Sequence, residues 1–427
     1  MKLTKENYRK RLIDEKVGKY LNVFGAISIE GPKWCGKTWT SLNHAKTATY
    51  MTEKDKRDLA NANPKYIFET NRPQLIDEWQ LVPSIWDAVR HECDADQKKG
   101  KFILTGSTTL TKDEKEEEVF HSGAGRIASL KMYPMSLYES GDSSGEISLL
   151  DMLDNKNIGK STKKIELDEI AKLIIRGGWP ENLLVSEDDI DLIPSSYIET
   201  IIKKDIHERK DHKRDSNKMR MLLKSLARHE SSPAGNETIV KDIETYENSE
   251  ELIESRKTVA DYIGVLDALY LTANQEAFSI NYRSSKRVGK SAKRHLVDPS
   301  LSCALLNLSV DKLMHDFKTF GLMFESLVER DLRIYMEYLD GSIYHFRDNG
   351  SGDEIDAILE FKNGDYAAVE IKLNYYNVDE AKESLMKFYN NVSEKPKFMC
   401  IIVASYSAII KDEETGIYIL PITALKP

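Results

Sequence analysis

An apolar run, Gly25-Ala26-Ile27-Ser28-Ile29-Glu30, leads directly into Gly31-Pro32-Lys33-Trp34-Cys35-Gly36-Lys37-Thr38. The octapeptide fills every position of the phosphate-binding pattern G-x-x-x-x-G-K-[ST], with the strand-before, helix-after context the pattern needs. In that context the backbone N–H groups of residues 31–36 wrap a polyphosphate, and a helix starting near Lys37 turns its positive end toward the same anion. Lys37 is expected to reach the β- and γ-phosphates, and the Thr38 hydroxyl to ligate Mg²⁺. The bulky Trp34 and Cys35 are compatible with this role, because backbone amides do the binding. The chemistry implied is the binding of a nucleoside triphosphate.

Further along, the short apolar strand in Arg72-Pro73-Gln74-Leu75-Ile76-Asp77-Glu78-Trp79 ends in paired acids. At this distance behind a phosphate loop, Asp77 is expected to hold the magnesium shell and Glu78 to polarise an attacking water. Phe102-Ile103-Leu104-Thr105-Gly106-Ser107 is a strand ending in hydroxyls. At the C-terminal edge of an open α/β sheet, Thr105 or Ser107 is placed to sense a γ-phosphate. A plain Thr-Gly-Ser turn is the other reading. Gly123-Ala124-Gly125-Arg126-Ile127 puts an arginine before a strand. Arg126 either contacts a γ-phosphate, in its own or a neighbouring subunit, or holds a surface carboxylate.

A second constellation lies near the C-terminus. Glu325 falls on a helical pattern, Asp356 in the strand-like Asp353-Glu354-Ile355-Asp356-Ala357-Ile358-Leu359, and Glu370 and Lys372 in Ala368-Val369-Glu370-Ile371-Lys372. Asp356 and Glu370 on neighbouring strands can share a divalent cation, with Glu325 completing the shell and Lys372 orienting a hydroxide.

The elements that must position these residues follow from pattern. Residues 1–24 read as a polar helical lead-in. From 25 to 140, apolar runs at Ala26–Ile29, Leu75–Ile76, Phe102–Leu104 and Ile127–Met132 alternate with helical periodicity, as in a parallel α/β sheet. A polar stretch between Asp142 and Lys164 reads as a loop or linker, and Arg176-Gly177-Gly178-Trp179-Pro180-Glu181 as a tight turn. Residues 255–266 form a helical pattern with Val259, Ile263 and Leu266 on one face and Ser255, Arg256, Lys257 and Thr258 at its start. That layout suits a groove-reading helix. Six cations then crowd residues 282–295 (Arg283, Lys286, Arg287, Lys290, Lys293, Arg294), like a wing lying along phosphates. The acids Asp242, Glu244, Glu247, Glu250, Glu251 and Glu254 argue against phosphate if they share that face. Contact with DNA and contact between domains both stay open here. From 317 onward the pattern is another α/β unit.

At 427 residues the chain exceeds one ordinary core, and about three domains are expected. A formal net charge of −9 excludes a uniformly basic nucleic-acid coat without excluding local basic patches. The four cysteines form no C-x-x-C pair, which argues against a zinc site or a disulfide framework and for a reducing cytoplasm. No secretory leader and no membrane span are expected.

The order of phosphate loop, Leu-Ile-Asp-Glu-Trp-Gln, Leu-Thr-Gly-Ser, Gly-Arg and Gly-Gly-Trp-Pro-Glu resembles the prokaryotic AAA+ ATPases that carry a C-terminal domain of unknown function. The set Glu325, Asp356, Glu370, Lys372 resembles the PD-(D/E)xK nuclease core that often accompanies them. The resemblance implies an α/β chain in three parts. These are a P-loop AAA+ ATPase domain (1–145), a helical, winged-helix-like domain (146–310) and a restriction-endonuclease-like domain (311–427). It also implies Asp77 and Glu78 as the Walker B pair, Thr105 or Ser107 as sensor, Arg126 as a candidate finger, and residues 108–122 as a mobile loop between them. ATP and Mg²⁺ are the expected cofactors, with a second divalent metal in the C-terminal domain if that core cuts. The expected function is ATP hydrolysis that controls engagement of a partner, DNA first among candidates, in an oligomer or a monomer. Two alternatives remain. One is an ATP-regulated metal nuclease; the other is a slow ATP-binding switch that recognises a protein and keeps the nuclease fold as scaffold.

Overall fold

A computed structural model describes residues 8–96, 98–108, 123–205, 216–246, 256–279, 291–348 and 353–427. Residues 109–122 of the expected mobile loop, Glu247, Glu250, Glu251, Glu254, Ser255, and the cations Arg283, Lys286, Arg287 and Lys290 lie outside the described residues. The chain divides into two compact units, Met1–Pro134 with Leu266–Leu271, and Met135–Val265 with Thr272–Pro427. Among the described residues no helix is long and apolar enough to cross a membrane.

The first unit is built on five strands, β1 (Ala26–Glu30), β2 (Thr47–Tyr50), β3 (Gln74–Asp77), β4 (Phe102–Gly106) and β5 (Ile127–Lys131). All pairings are parallel, in the order β2-β3-β4-β1-β5. The helices α1 (Ile13–Leu21), α2 (Lys37–His44), α3 (Lys54–Ala62) and α4 (Ser84–Ala95) accompany it. β3 and β4 are buried along their whole length, and their centres, Leu75–Ile76 and Phe102–Leu104, read as continuous apolar runs rather than alternating ones. Their side chains still part by pleat. Ile76, Phe102 and Leu104 join one apolar cluster with Ile85 and Val89, while Leu75, Ile103, Ile27 and Ile29 join another with Val17 and Leu42. The sequence reading missed β2, because Thr-Ala-Thr-Tyr has β-branched and aromatic residues but no apolar run. It pairs with β3 alone, at the sheet's edge.

The second unit holds β6 (Ile147–Ser148), β7 (Gly159–Ser161), β8 (Ser342–Arg347), β9 (Glu354–Glu360), β10 (Tyr366–Lys372), β11 (Met399–Val403), β12 (Ala408–Lys411), β13 (Tyr418–Pro421) and β14 (Leu425–Lys426). Seven of them form a mixed sheet in the order β7-β12-β13-β11-β10-β9-β8, parallel at β10/β11/β13 and antiparallel on both flanks. The polar stretch 142–164, read as a linker, contributes β7 to this sheet and β6 to a pair with β14. Gly159-Lys160-Ser161 has no strand signature of its own. What makes it a strand is its partner, with Ser161 opposite Ala408. In the helix Arg256–Ala268 the second unit buries Val259 and Ile263, two residues of the face its spacing indicated.

The Gly177-Gly178-Trp179-Pro180 turn is locked from several sides. The Gly178 N–H donates to Asp298 Oδ2 at 2.9 Å, and the Trp179 indole N–H donates to Ser300 Oγ at 2.9 Å. The Gly178 carbonyl accepts the Met135 N–H at 2.6 Å. A methyl group at Gly178 would run into the backbone of Met135. Gly178→Ala is therefore expected to cost about 1–3 kcal/mol by overpacking, measured by urea denaturation. An unchanged midpoint would show that the turn yields.

Beneath this turn Arg330, 3% exposed, donates to Asp298 Oδ2 at 2.9 Å and to Asp331 Oδ1 at 2.7 Å. Asp331 Oδ2 accepts the Leu137 N–H at 2.8 Å. Asp298 thus serves the turn and the arginine together.

Candidate functional site

The parallel sheet of the first unit gathers its polar strand ends at one edge. The register sets Asp77 opposite Thr105 and Glu30 opposite Gly106, and residues 31–36 run from the end of β1 into α2. Open α/β sheets bind ligands at this C-terminal edge. The Thr38 hydroxyl donates to Asp77 Oδ1 at 2.8 Å, and the Thr105 hydroxyl donates to the same oxygen at 2.6 Å. Burial, the largest influence on Asp77, pushes its pKa up against these two hydrogen bonds. Thr105 also accepts the Glu78 N–H at 3.3 Å, and Ser107 Oγ donates to Glu78 Oε2 at 2.8 Å. Both hydroxyls considered as phosphate sensors are thus engaged with the two acids. Glu78 itself sits at φ 54°, ψ 48°, a left-handed conformation that non-glycine residues rarely adopt.

The phosphate loop is gripped from its own flank. Lys37 is 5% exposed and its Nζ donates to the carbonyls of Gly31 at 2.9 Å and Pro32 at 2.7 Å. Arg11 donates to the Cys35 carbonyl at 2.8 Å and to the Tyr133 carbonyl at 2.9 Å. Asp14, which accepts from Tyr8 Oη, Asn43 Nδ2 and the Arg11 N–H, ties α1 to α2. Arg11 escaped sequence reasoning because nothing in a polar lead-in signals a loop clamp; only its burial at 4% gives it away. A side chain at Gly31 would meet the Met132 carbonyl oxygen, so the loop lies directly on the strand end that follows β5. Trp34 turns its ring outward at 49% exposure, while Cys35 is fully buried. These residues fit ATP with Mg²⁺. A buried ammonium lies within a loop that only glycine permits at Gly31, next to a hydroxyl–carboxylate pair of the kind that shares a divalent ion.

Arg126 stands elsewhere. It precedes Ile127, which pairs with Ala26 at the beginning of β1, so it lies at the N-terminal edge, opposite the phosphate loop. Its Nε donates to Asp94 Oδ1 at 2.9 Å. The structure thus gives Arg126 a surface carboxylate and does not bring it to the loop of its own chain.

In the second unit the structure brings Glu325, Asp356, Glu370 and Lys372 into one cluster. Lys372 Nζ lies 2.8 Å from Glu370 Oε2, and Ser384 Oγ donates to Glu370 Oε1 at 3.0 Å. Asp356 Oδ2 accepts the Ile371 N–H at 2.8 Å. Burial first, then the Asp356 charge, pushes Glu325 up to about 7 and Glu370 up to about 8. A fifth member was not anticipated. Lys293, 2% exposed, places its Nζ 2.8 Å from Glu325 Oε1, 3.6 Å from Asp356 Oδ1 and 3.8 Å from Glu354 Oε1. Among the described residues no three His, Cys, Asp or Glu side chains are placed to hold a metal ion.

Lys293 was expected on a phosphate-facing wing, and its neighbours also turn inward. Arg294 donates to the Ala234 carbonyl and to Asn236 Oδ1, both at 2.8 Å, and His295 pairs with Glu230 at 3.1 Å. Buried carboxylates and carbonyls compete for these cations more strongly than solvent does.

Residues 24–141 match the family described as "AAA domain". Residues 167–312 match "Domain of unknown function (DUF8612)" and residues 320–425 match "Domain of unknown function (DUF4143)". No functionally curated protein matches the chain. Among solved structures it is similar to the Walker-type ATPase PABY2304 of Pyrococcus abyssi, at 14% identity over 71% of this chain and 98% of that one, with a TM-score of 0.42. It is also similar to the ORC2 protein of Aeropyrum pernix in ADPNP–ADP complexes, at 13% identity over 73% of this chain and 98% of that one, with a TM-score of 0.32. The chain thus carries an ATPase-type AAA domain on a parallel α/β sheet, followed by an α/β unit with a mixed sheet, and the AAA domain supports ATP binding.

Proposed function

We propose that the chain is a Mg²⁺-dependent ATPase whose nucleotide state controls how its second unit engages a partner, with DNA as the partner class. The observation that carries the ATPase reading is the shared oxygen of Asp77, which receives both Thr38 and Thr105 beside the buried Lys37. In this reading Lys37 leaves the Gly31 and Pro32 carbonyls for the β- and γ-phosphate oxygens. Asp77 and Thr38 hold the metal shell. Magnesium, when bound, neutralises charge on the β- and γ-oxygens. Glu78, fixed by Ser107, takes a proton from the attacking water. The new bond joins that water's oxygen to the γ-phosphorus, and the β–γ phosphoanhydride opens with ADP as leaving group. Arg126 has no part in this within its own chain.

The exposed Lys257, on the helix suited to a groove, supports DNA as partner. A second reading, a slow ATP-binding switch that recognises a protein, is favoured by the inward turn of Lys293 and Arg294, which removes two cations from the basic surface. The test is phosphate release with Mg²⁺ and with EDTA, together with duplex-DNA affinity across salt in the ATP-analogue and ADP states. The proposal expects release that EDTA abolishes, and a DNA affinity that changes with nucleotide and falls log-linearly with salt. Absence of release would sink the ATPase assignment. DNA binding absent in both states, with release intact, would move the assignment to the switch.

A further inference from the structure

The C-terminal carboxylate cluster has the residue types of a divalent-metal site, yet a cation of the chain's own is already inside it. Lys293 has three N–H donors and three carboxylates about it, those of Glu325, Asp356 and Glu354, at 2.8, 3.6 and 3.8 Å. Its burial works against a charge, and these carboxylates nonetheless carry its pKa above the usual lysine range.

The lysine is also fixed in place by its backbone. The Lys293 N–H donates to the Gln275 carbonyl at 2.9 Å, and the Gln275 N–H returns a bond to the Lys293 carbonyl at 3.0 Å. The Gln275 side chain in turn donates to the carbonyls of Tyr344 at 2.9 Å and Asp356 at 3.1 Å. One residue therefore fixes both the backbone that carries the ammonium and the strand that carries the acid. Three further oxygens are committed as well, Asp356 Oδ2 to the Ile371 N–H, and the two of Glu370 to Ser384 and Lys372.

We propose that Lys293 is the resident cation of this cluster, its ammonium standing where a divalent metal would sit, so that the C-terminal core is a metal-free ion-pair scaffold. The residues present do not fit a metal while Lys293 is among them. A divalent ion entering next to Glu325 and Asp356 would meet the ammonium at close range, and like charges in a buried site repel strongly. Removing the ammonium leaves buried carboxylates without a counter-charge, a situation that favours uptake of a cation or a proton. The inference is independent of the ATPase reading, which concerns the first unit.

The test is Mn²⁺ binding to the nucleotide-free full chain by electron paramagnetic resonance, comparing wild type, D356N, K293M and the double variant K293M/D356N. Wild type and D356N are expected to bind the same amount of Mn²⁺. K293M is expected to gain one Mn²⁺ per chain, and the double variant to lose it. Two results would overturn the proposal: Mn²⁺ bound by wild type and lost in D356N, or a folded K293M that gains none. If K293M fails to fold, the comparison of wild type with D356N decides. Equal uptake supports the resident lysine, and uptake lost with Asp356 overturns it.

Discussion

Glu78→Gln is expected to bind ATP as tightly as the wild type and to release phosphate about 10²–10⁴-fold more slowly, the usual contribution of a positioned general base. The substitution is nearly isosteric, and the glutamine carbonyl still accepts the Ser107 hydroxyl that holds Glu78 Oε2 at 2.8 Å. What it loses is the capacity to accept a proton. The side chain stays aimed because its backbone is held at φ 54° with its N–H on Thr105. Asp77, with Thr38 and Thr105 on one oxygen, is untouched. Single-turnover phosphate release and equilibrium binding of a fluorescent ATP analogue, measured on the same preparation, separate the two effects. Undiminished turnover would move the base elsewhere. Weakened binding together with slow turnover would make Glu78 a structural residue of the loop.

Arg330→Met is expected to destabilise the second unit by about 3–5 kcal/mol, the range for removing one partner of a buried ion network. Methionine replaces the bulk of the stem and none of the charge. Asp298 and Asp331, both fully buried, are then left facing each other's environment without a cation. Against a domain stability of about 5–15 kcal/mol that is about a fifth or more of the total. The sign of the pH dependence follows from Asp331, which burial already pushes up to about 6 with Arg330 in place. Without the arginine its folded-state pKa rises further above that of the unfolded chain. A group shifted in this direction favours folding at low pH and opposes it as pH rises. The deficit of the variant relative to wild type should therefore shrink between neutrality and pH 5. Urea titrations at both values measure it, and a deficit that stays the same at both would show that the arginine acts through packing alone.

Legibility differed between the two units for a physical reason. In the first, chemistry follows strand ends, and a strand that is buried on both faces announces itself as an apolar run. Thus Asp77 and Thr105 were found by reading to the end of Leu75–Ile76 and Phe102–Leu104. Their partners were not legible, because Thr105 faces Asp77 only through the parallel register. Arg11 reaches Cys35 and Tyr133 across folds of the chain that no local pattern encodes. In the second unit the four charged residues stood out by type and order. The lysine placed among them did not, since Lys293 belongs to a run of cations that reads as a wing along phosphates. The Gln275 pairing helps turn it inward. Charge runs are ambiguous for this reason: the same residue type serves solvent, phosphate or a buried acid, and the backbone partner decides which.

The pairing of β7 with β12 has a consequence for the newly made chain. Ser161 finds its partner only when Ala408 has been synthesised. At about 5–20 residues per second, the interval on the ribosome is about 12–50 s. For that time the outer strand waits with an unsatisfied edge, and the same holds for Ile147 until Leu425 emerges. The AAA domain, whose sheet is complete by Lys131, has no such wait. A ribosome stalled midway would therefore display a finished nucleotide-binding sheet tethered to an unfinished neighbour, with the sticky edge of that neighbour as the natural target for a chaperone.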